Sequence, residues 1–182
     1  QQELEGSVNF FLDHTNLDSN SKGFGLTVDS TKKLQIASIA SVGFALTAWV
    51  IADARGHLCR PRALEITRGT LRTLRDNVSH YRGFFAHFLQ IDSGERYRKC
   101  VYSTIDTALC LNGVITAEAY FKDAEISELS AQLLERVDWN YIVFEQDGKT
   151  LFHMAYNPDW RGDYVRGEPG FISQWDMAAE QR

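Results

Sequence analysis

The chain has 182 residues and a mass of 20.7 kDa, with 44% hydrophobic residues, 24% charged residues and only 3 prolines. That composition suits one ordinary globular domain, or one large piece of a bigger one, and excludes a disordered or collagen-like chain. The formal net charge of -5 and a pI near 5.5 argue against nucleic acid as a partner, because grip on a phosphate backbone relies on clustered Lys and Arg.

Along the chain, Leu4, Val8, Phe11 and Leu12 recur at helical spacing and predict a first helix that stops at the turn residues Asp13 to Asn16. Asp18 to Lys33 reads as a long loop anchored by Phe24, Leu26 and Val28, and loops of that length in a compact domain are usually functional. A helix is expected from about Leu34 to Ala54, with Gly56 placed as a C-terminal glycine cap. Its apolar run is broken by Ser38, Ser41, Gly43 and Thr47 and ends in Asp53 and Arg55, so it reads as a buried helix and gives no membrane span. Pro61 opens a helix to about Val78, whose arginines Arg62, Arg68, Arg72 and Arg75 read as a solvated face.

Phe84 to Tyr97 suggests two short strands around Asp92-Ser93-Gly94. Helices follow from Ser103 to about Phe121 and from Ile126 to Val137. Asp147-Gly148 between Tyr141–Phe144 and Leu151–Ala155 signals a hairpin, and a last helix is expected near Ser173. The fold class is therefore all-α: helical hairpins with small β-hairpin insertions in a single domain over 1–182. The final helix has little room before Arg182, so the chain reads as cut, and no charged-then-apolar leader precedes the fold.

The residues bearing chemistry are less decisive. Cys59, Cys100 and Cys110 lie far apart without a CxxC spacing, which suggests neither a disulfide scaffold nor a zinc site. No nucleotide, metalloprotease or serine-hydrolase motif appears, so no cofactor and no metal are expected. Ser103 to Asp106 and Ser173 to Asp176 each read as a capping box. Capping is the favoured account of Asp106 and Asp176 judged alone; the alternative is that two helix starts deliver carboxylates to a cleft, with Glu180 one turn beyond Asp176, and spacing alone does not choose. Aromatic residues concentrate in the loops and hairpins, as in a carbohydrate cleft where rings stack on sugar faces. Of these, Trp160 and Trp175 are expected exposed, and Trp139, Phe84 and Phe85 packed beneath their loops. His14, His87 and His153 read as hydrogen-bonding residues, and Arg96, Arg98 and Lys99 as a solvated strand edge.

Five segments in order carry a family resemblance: Phe10 to Thr15, Ile39 to Phe44, Gly83 to Phe88, Ser103 to Leu109, and Trp175-Asp176-Met177 through Glu180. Together they resemble the bacterial glucoamylase-like family, which includes endo-β-1,2-glucanases. The resemblance implies an (α/α)6 toroid around a glucan cleft, of which this chain would be the N-terminal half. It implies an oligosaccharide or polysaccharide substrate, most readily β-1,2-glucan, with Glu180 as general acid and Asp106 as the second catalytic residue. Asp176, Trp175, Trp160, Phe85, His87 and Tyr102 would then bind substrate. A periplasmic or secreted setting is favoured over a cytoplasmic one, and either a second copy or the missing C-terminal half would cover the open helix faces. Ala178 stands where the family usually has Tyr, and the family continues for roughly as many residues again. Both departures keep a non-catalytic glucan-binding or scaffold protein as the alternative.

Overall fold

Helices form where apolar residues recur at helical spacing. A computed structural model describes residues 2–175, with α1 at Gln2–His14, α2 at Ile39–Ala54, α3 at Arg60–Asp76, α4 at Thr104–Phe121 and α5 at Ala124–Glu135. Gly56 does follow α2 in the left-handed region, at φ 72°. Its amide donates to Asp53 O, which satisfies an otherwise orphaned carbonyl. Among the described residues no helix is long and apolar enough to cross a membrane.

α2 and α4 lie side by side and run parallel. Gly43, early in α2, faces Gly113, midway along α4, so closely that a Cβ on Gly113 would sit 2.7 Å from Gly43 Cα. Near their ends Tyr120 donates to Asp53 (3.0 Å), while Arg60 reaches Asp53 and Phe121 O (2.8 and 3.0 Å). α1, α3 and α5 run back against this pair. Phe11 meets Trp49 edge-on, and the sequence-expected anchors Leu26 and Val28 are buried, with Phe24 lying against Gly69 of α3. The core gathers Val42, Leu46 and Trp49 of α2, Ile66, Leu71 and Leu74 of α3, Cys110 and Val114 of α4, and Leu129 and Leu133 of α5.

The arginines of α3 form a face that is solvated at Arg72 and Arg75 but is also used for pairing. Arg68 pairs with Asp123, Arg72 with Glu125 and Arg62 with Glu65, so two of them tie α3 to the start of α5. Asp123 also caps α5, accepting from Ile126 N at 3.2 Å. The hydrogen bond from Arg68, opposed by partial burial, holds its carboxyl below the usual range. In return, Arg136 at the end of α5 donates to the last carbonyls of α3, Leu74 O and Arg75 O, at 3.1 Å each.

Strands are more numerous than expected. β1 (Ile36–Ser38) pairs antiparallel with β4 (Phe88–Gln90), so α2 begins at Ile39 rather than Leu34, because the three strand residues are buried on both faces. β2 (His80–Tyr81) pairs with β3 (Phe84–Phe85) across Arg82 and Gly83, both at positive φ. The Asp92-Ser93-Gly94 turn returns the chain through a single bridge, Leu89 to Arg96, and does not join two strands. β5 (Tyr102–Ser103) and β6 (Val143–Gln146) both pair with β7 (Lys149–Asn157), and Asp147 and Gly148 at φ 52° and 71° make the expected tight hairpin turn.

The helix expected near Ser173 is overturned. Gly170–Trp175 is strand β8, paired antiparallel with β7 from Asn157↔Gly170 to Phe152↔Trp175. β7 offers a second edge of unpaired backbone groups, and Phe171 and Ser173 are exposed while Ile172 and Gln174 are partly buried, a period of two. Ser173 is therefore no helix cap. Asp176, Ala178 and Glu180 lie outside the described residues.

Two outcomes test this packing. Gly113→Ala is expected to lower unfolding stability in urea by about 1–3 kcal/mol despite the better helix propensity of alanine, because the added methyl has only backbone to displace. Asp123→Ala is expected to cost about 1–2 kcal/mol near neutral pH through the lost cap. Since the folded pKa of Asp123 is depressed, its ionic contribution is complete above the ordinary carboxylate range and lost as pH falls through the depressed value. The gap between wild type and variant should accordingly narrow in acid.

Candidate active site

The parallel course of α2 and α4 brings both helix starts to one pole. His87 spans the gap with its main chain: its N–H donates to Val101 O (2.9 Å), and its carbonyl accepts from Ile39 N (3.2 Å), the first residue of α2. α4 opens on Ser103, whose hydroxyl accepts from Asp106 N at 3.3 Å, so half of the capping box is present. The Asp106 carboxylate does not reach back along the helix. Its Oδ2 lies 3.6 Å from His87 Nε2, and both side chains are partly buried. At that distance the two face each other just beyond a good hydrogen bond. The His87 ring is held flat against Phe88, centroids 3.9 Å apart and planes 17° apart.

Thr107, one residue on, locks the carboxylate's helix to the strand beneath it. Its hydroxyl donates to Ser103 O (2.7 Å) and accepts from Phe85 N (2.9 Å), with no exposed surface. On the adjoining face of α4, Ile105 and Ala108 form one wall of an apolar groove of about 230 Å³, completed by Trp139, Ile142, Phe152 and Trp175. Thr104 ties that groove to the sheet, donating to Met154 O (2.7 Å) and accepting from the Trp175 indole N–H (3.4 Å).

The structure thus brings His87 and Asp106 together and sets Trp175 across the first turn of α4 from them. Tyr102 lies elsewhere, half-buried against Tyr81 (5.8 Å) and paired in the sheet with Tyr156, with the Arg96 guanidinium 4.8 Å over its ring. Burial pushes the Tyr102 phenol up, and the nearby Arg96 charge opposes that shift. Trp160 is 56% exposed on the loop after β7, with its carbonyl held by Lys99 Nζ (2.9 Å). Phe85 requires correction as a substrate residue: it is fully buried with Arg136 packed over its ring at 5.1 Å, so it supports the site from beneath and offers no surface to a ligand. Trp139 moves the other way, 41% exposed because the 3₁₀ turn Trp139–Ile142 turns it into the groove. Arg96 also departs from expectation. It is no solvated edge but donates to Cys100 O, Asp159 and Asn157. Thr104, Thr107 and Phe152 escaped the sequence reading. Their signal was the helix period for the two threonines and the alternation of β7 for Phe152.

No family model matches the sequence, and no curated protein matches it. Solved structures of similar fold do. A glucoamylase candidate from Bacteroides uniformis superposes with a TM-score of 0.70 at 20% identity, over 85% of this chain and 38% of that one. An endo-β-1,2-glucanase from Chitinophaga pinensis, solved with sophorotriose and glucose, gives 0.67 at 17% identity, over 91% and 41%. A β-1,2-glucanase from Parabacteroides distasonis gives 0.68 at 14% identity, over 88% and 24%. The chain therefore has the fold of part of these glucoamylase-like and β-1,2-glucanase structures, in agreement with the resemblance carried by its motifs, and spans less than half the length of each.

Thr107→Val tests the link between the start of α4 and β3. It preserves shape but leaves the buried Phe85 N–H without its acceptor, and is expected to cost about 1–3 kcal/mol in chemical denaturation.

Proposed function

We propose that the chain is part of a glycoside hydrolase of (α/α)6 architecture that acts on β-linked glucan, β-1,2-glucan before other linkages. The observation that carries this reading is the Asp106–His87 pair at the shared start of two parallel helices, beside a groove walled by Trp139, Phe152 and Trp175. Hydrolysis of a glycosidic bond needs two carboxyl groups, one giving a proton to the leaving oxygen and the other activating water or attacking carbon. Aromatic walls next to a carboxylate suit that chemistry, because rings stack on sugar faces and exclude water from the reacting bond.

In this reading Glu180 is the general acid, Asp106 is the carboxylate lining the cleft, and Asp176, Trp175, Trp160, His87 and Tyr102 contribute binding. The motif resemblance supports the assignment of Glu180, and Trp175 of the same motif lies beside the first turn of α4. The complementary base belongs to the remainder of the ring, and the chain is a single N-terminal portion of that ring. Support for the sugar comes from the fold likeness to two β-1,2-glucanases.

The test is reducing-sugar release from linear β-1,2-glucan, compared with other β-glucans, by the purified chain and its Glu180→Gln and Asp106→Asn variants. A general base contributes about 10² to 10⁴ in rate, so the 182-residue chain is expected to turn over at least that much more slowly than a complete site. Robust release abolished by Glu180→Gln would refute the placing of the base outside this chain. Release unchanged in Glu180→Gln would refute the acid.

A further inference from the structure

A second cleft, of about 220 Å³, shares Phe88 with the His87 stack. Distant segments build it: the loop before β1 supplies Asp29 and Lys33, β4 supplies Phe88, the loop before β5 supplies Tyr97 and Arg98, and the loop after β7 supplies Asp163. All four charged side chains are exposed, and among the described residues none of them makes a hydrogen bond or an ion pair. Elsewhere charged side chains pair across the fold, as Arg68 does with Asp123 and Arg82 with Asp138. Here two carboxylates, an ammonium and a guanidinium surround two aromatic rings without neutralising one another.

The walls are fixed in place by groups with no other evident work. Asn157 is fully buried, and its side-chain amide donates to Lys99 O and to Asp163 O at 2.9 Å each while its oxygen accepts from Arg96 and from Asp159 N. Asp163 N in turn donates to Lys99 O (3.1 Å). This clasp locks the two loops that carry Tyr97, Arg98 and Asp163. Tyr97 N also donates to Phe88 O (2.9 Å), and Arg98 holds a left-handed φ of 53° that sets its guanidinium 5.1 Å over the Tyr97 ring. The backbone of the cleft is pre-ordered in this way, so filling it costs little main-chain entropy.

The chemistry of the lining selects the ligand. The four charges sum to zero, so the cleft gives no field that favours an anion or a cation. Carboxylates accept from hydroxyls, and ammonium and guanidinium groups donate to them, while Phe88 and Tyr97 offer faces for C–H surfaces. A neutral polyhydroxylated ring satisfies all of these at once. We infer that this cleft is a saccharide subsite, holding a sugar unit of the glucan at a position separate from the Asp106 carboxylate. The identity of the sugar rests on the proposed function; the existence of the site rests on the cleft.

The experiment is titration of the isotope-labelled chain with a linear β-1,2-linked glucohexaose, following amide shifts and the dissociation constant. Expected shifts include Tyr97, Arg98 and Asp163, and Arg98→Ala and Asp163→Asn are each expected to weaken binding by about tenfold, the loss of one charged hydrogen bond. Both are surface changes, and the unperturbed remainder of the spectrum certifies folding. Shifts confined to residues around Asp106, with both variants binding like wild type, would overturn the subsite and leave the glucan reading standing. A phosphorylated sugar bound more tightly than the neutral one, with the preference lost in Lys33→Ala, would overturn the argument from neutrality. Absence of binding by any of the sugars would overturn the subsite as well, and the hydrolase reading would then be judged on turnover alone.

Discussion

The contact between Gly43 and Gly113 sets the geometry on which the rest of the molecule depends. With no side chain on either residue, the backbone of α2 near its first turns comes into direct contact with the middle of α4, and polar links from Asp53 and Arg60 to Tyr120 and Phe121 O hold the C-terminal ends. The two helices are thereby fixed parallel and in register. Parallel helices put both amino ends at one pole, where the unpaired backbone amides and the positive ends of the dipoles collect. That pole is where β4 delivers His87 and where α4 delivers Asp106, so the candidate active site is a consequence of a helix contact some turns away.

A second layer keeps this pair from sliding. α3 and α5 are joined by charged side chains at both ends, Arg68 to Asp123 at one and Arg136 to the α3 carbonyls at the other. Asp123 serves as cap and ion-pair partner together, so the α5 start cannot shift without losing both. Exposed ion pairs are worth little singly. Here their value is positional, because they fix α3 and α5 against one another.

The sheet around β7 does for the loops what the glycine contact does for the helices. β7 pairs along both edges, with β5 and β6 on one and β8 on the other, and ends in the buried Asn157 that clasps two further loops. Thr104 bonds this sheet to the start of α4. Trp139, Phe152 and Trp175, distant in the sequence, are in this way arranged beside the start of α4.

The sequence by itself determined the helices, the Asp147-Gly148 turn, the Gly56 cap and the capping hydroxyl of Ser103, because periodicity, left-handed backbone and cap chemistry are local. It also pointed to Asp106 and His87 through their motifs, though not to their meeting. Only the tertiary structure decided that Ser173 belongs to a strand, since the choice there lay with the open edge of β7 and not with the residues' own preferences. It likewise decided that Phe85 is core and Trp139 exposed, and that Arg68 and Arg96 are bound within the fold. An aromatic or an arginine carries no local signal of which neighbour it will meet, and that assignment waits on helices and strands far away in the chain.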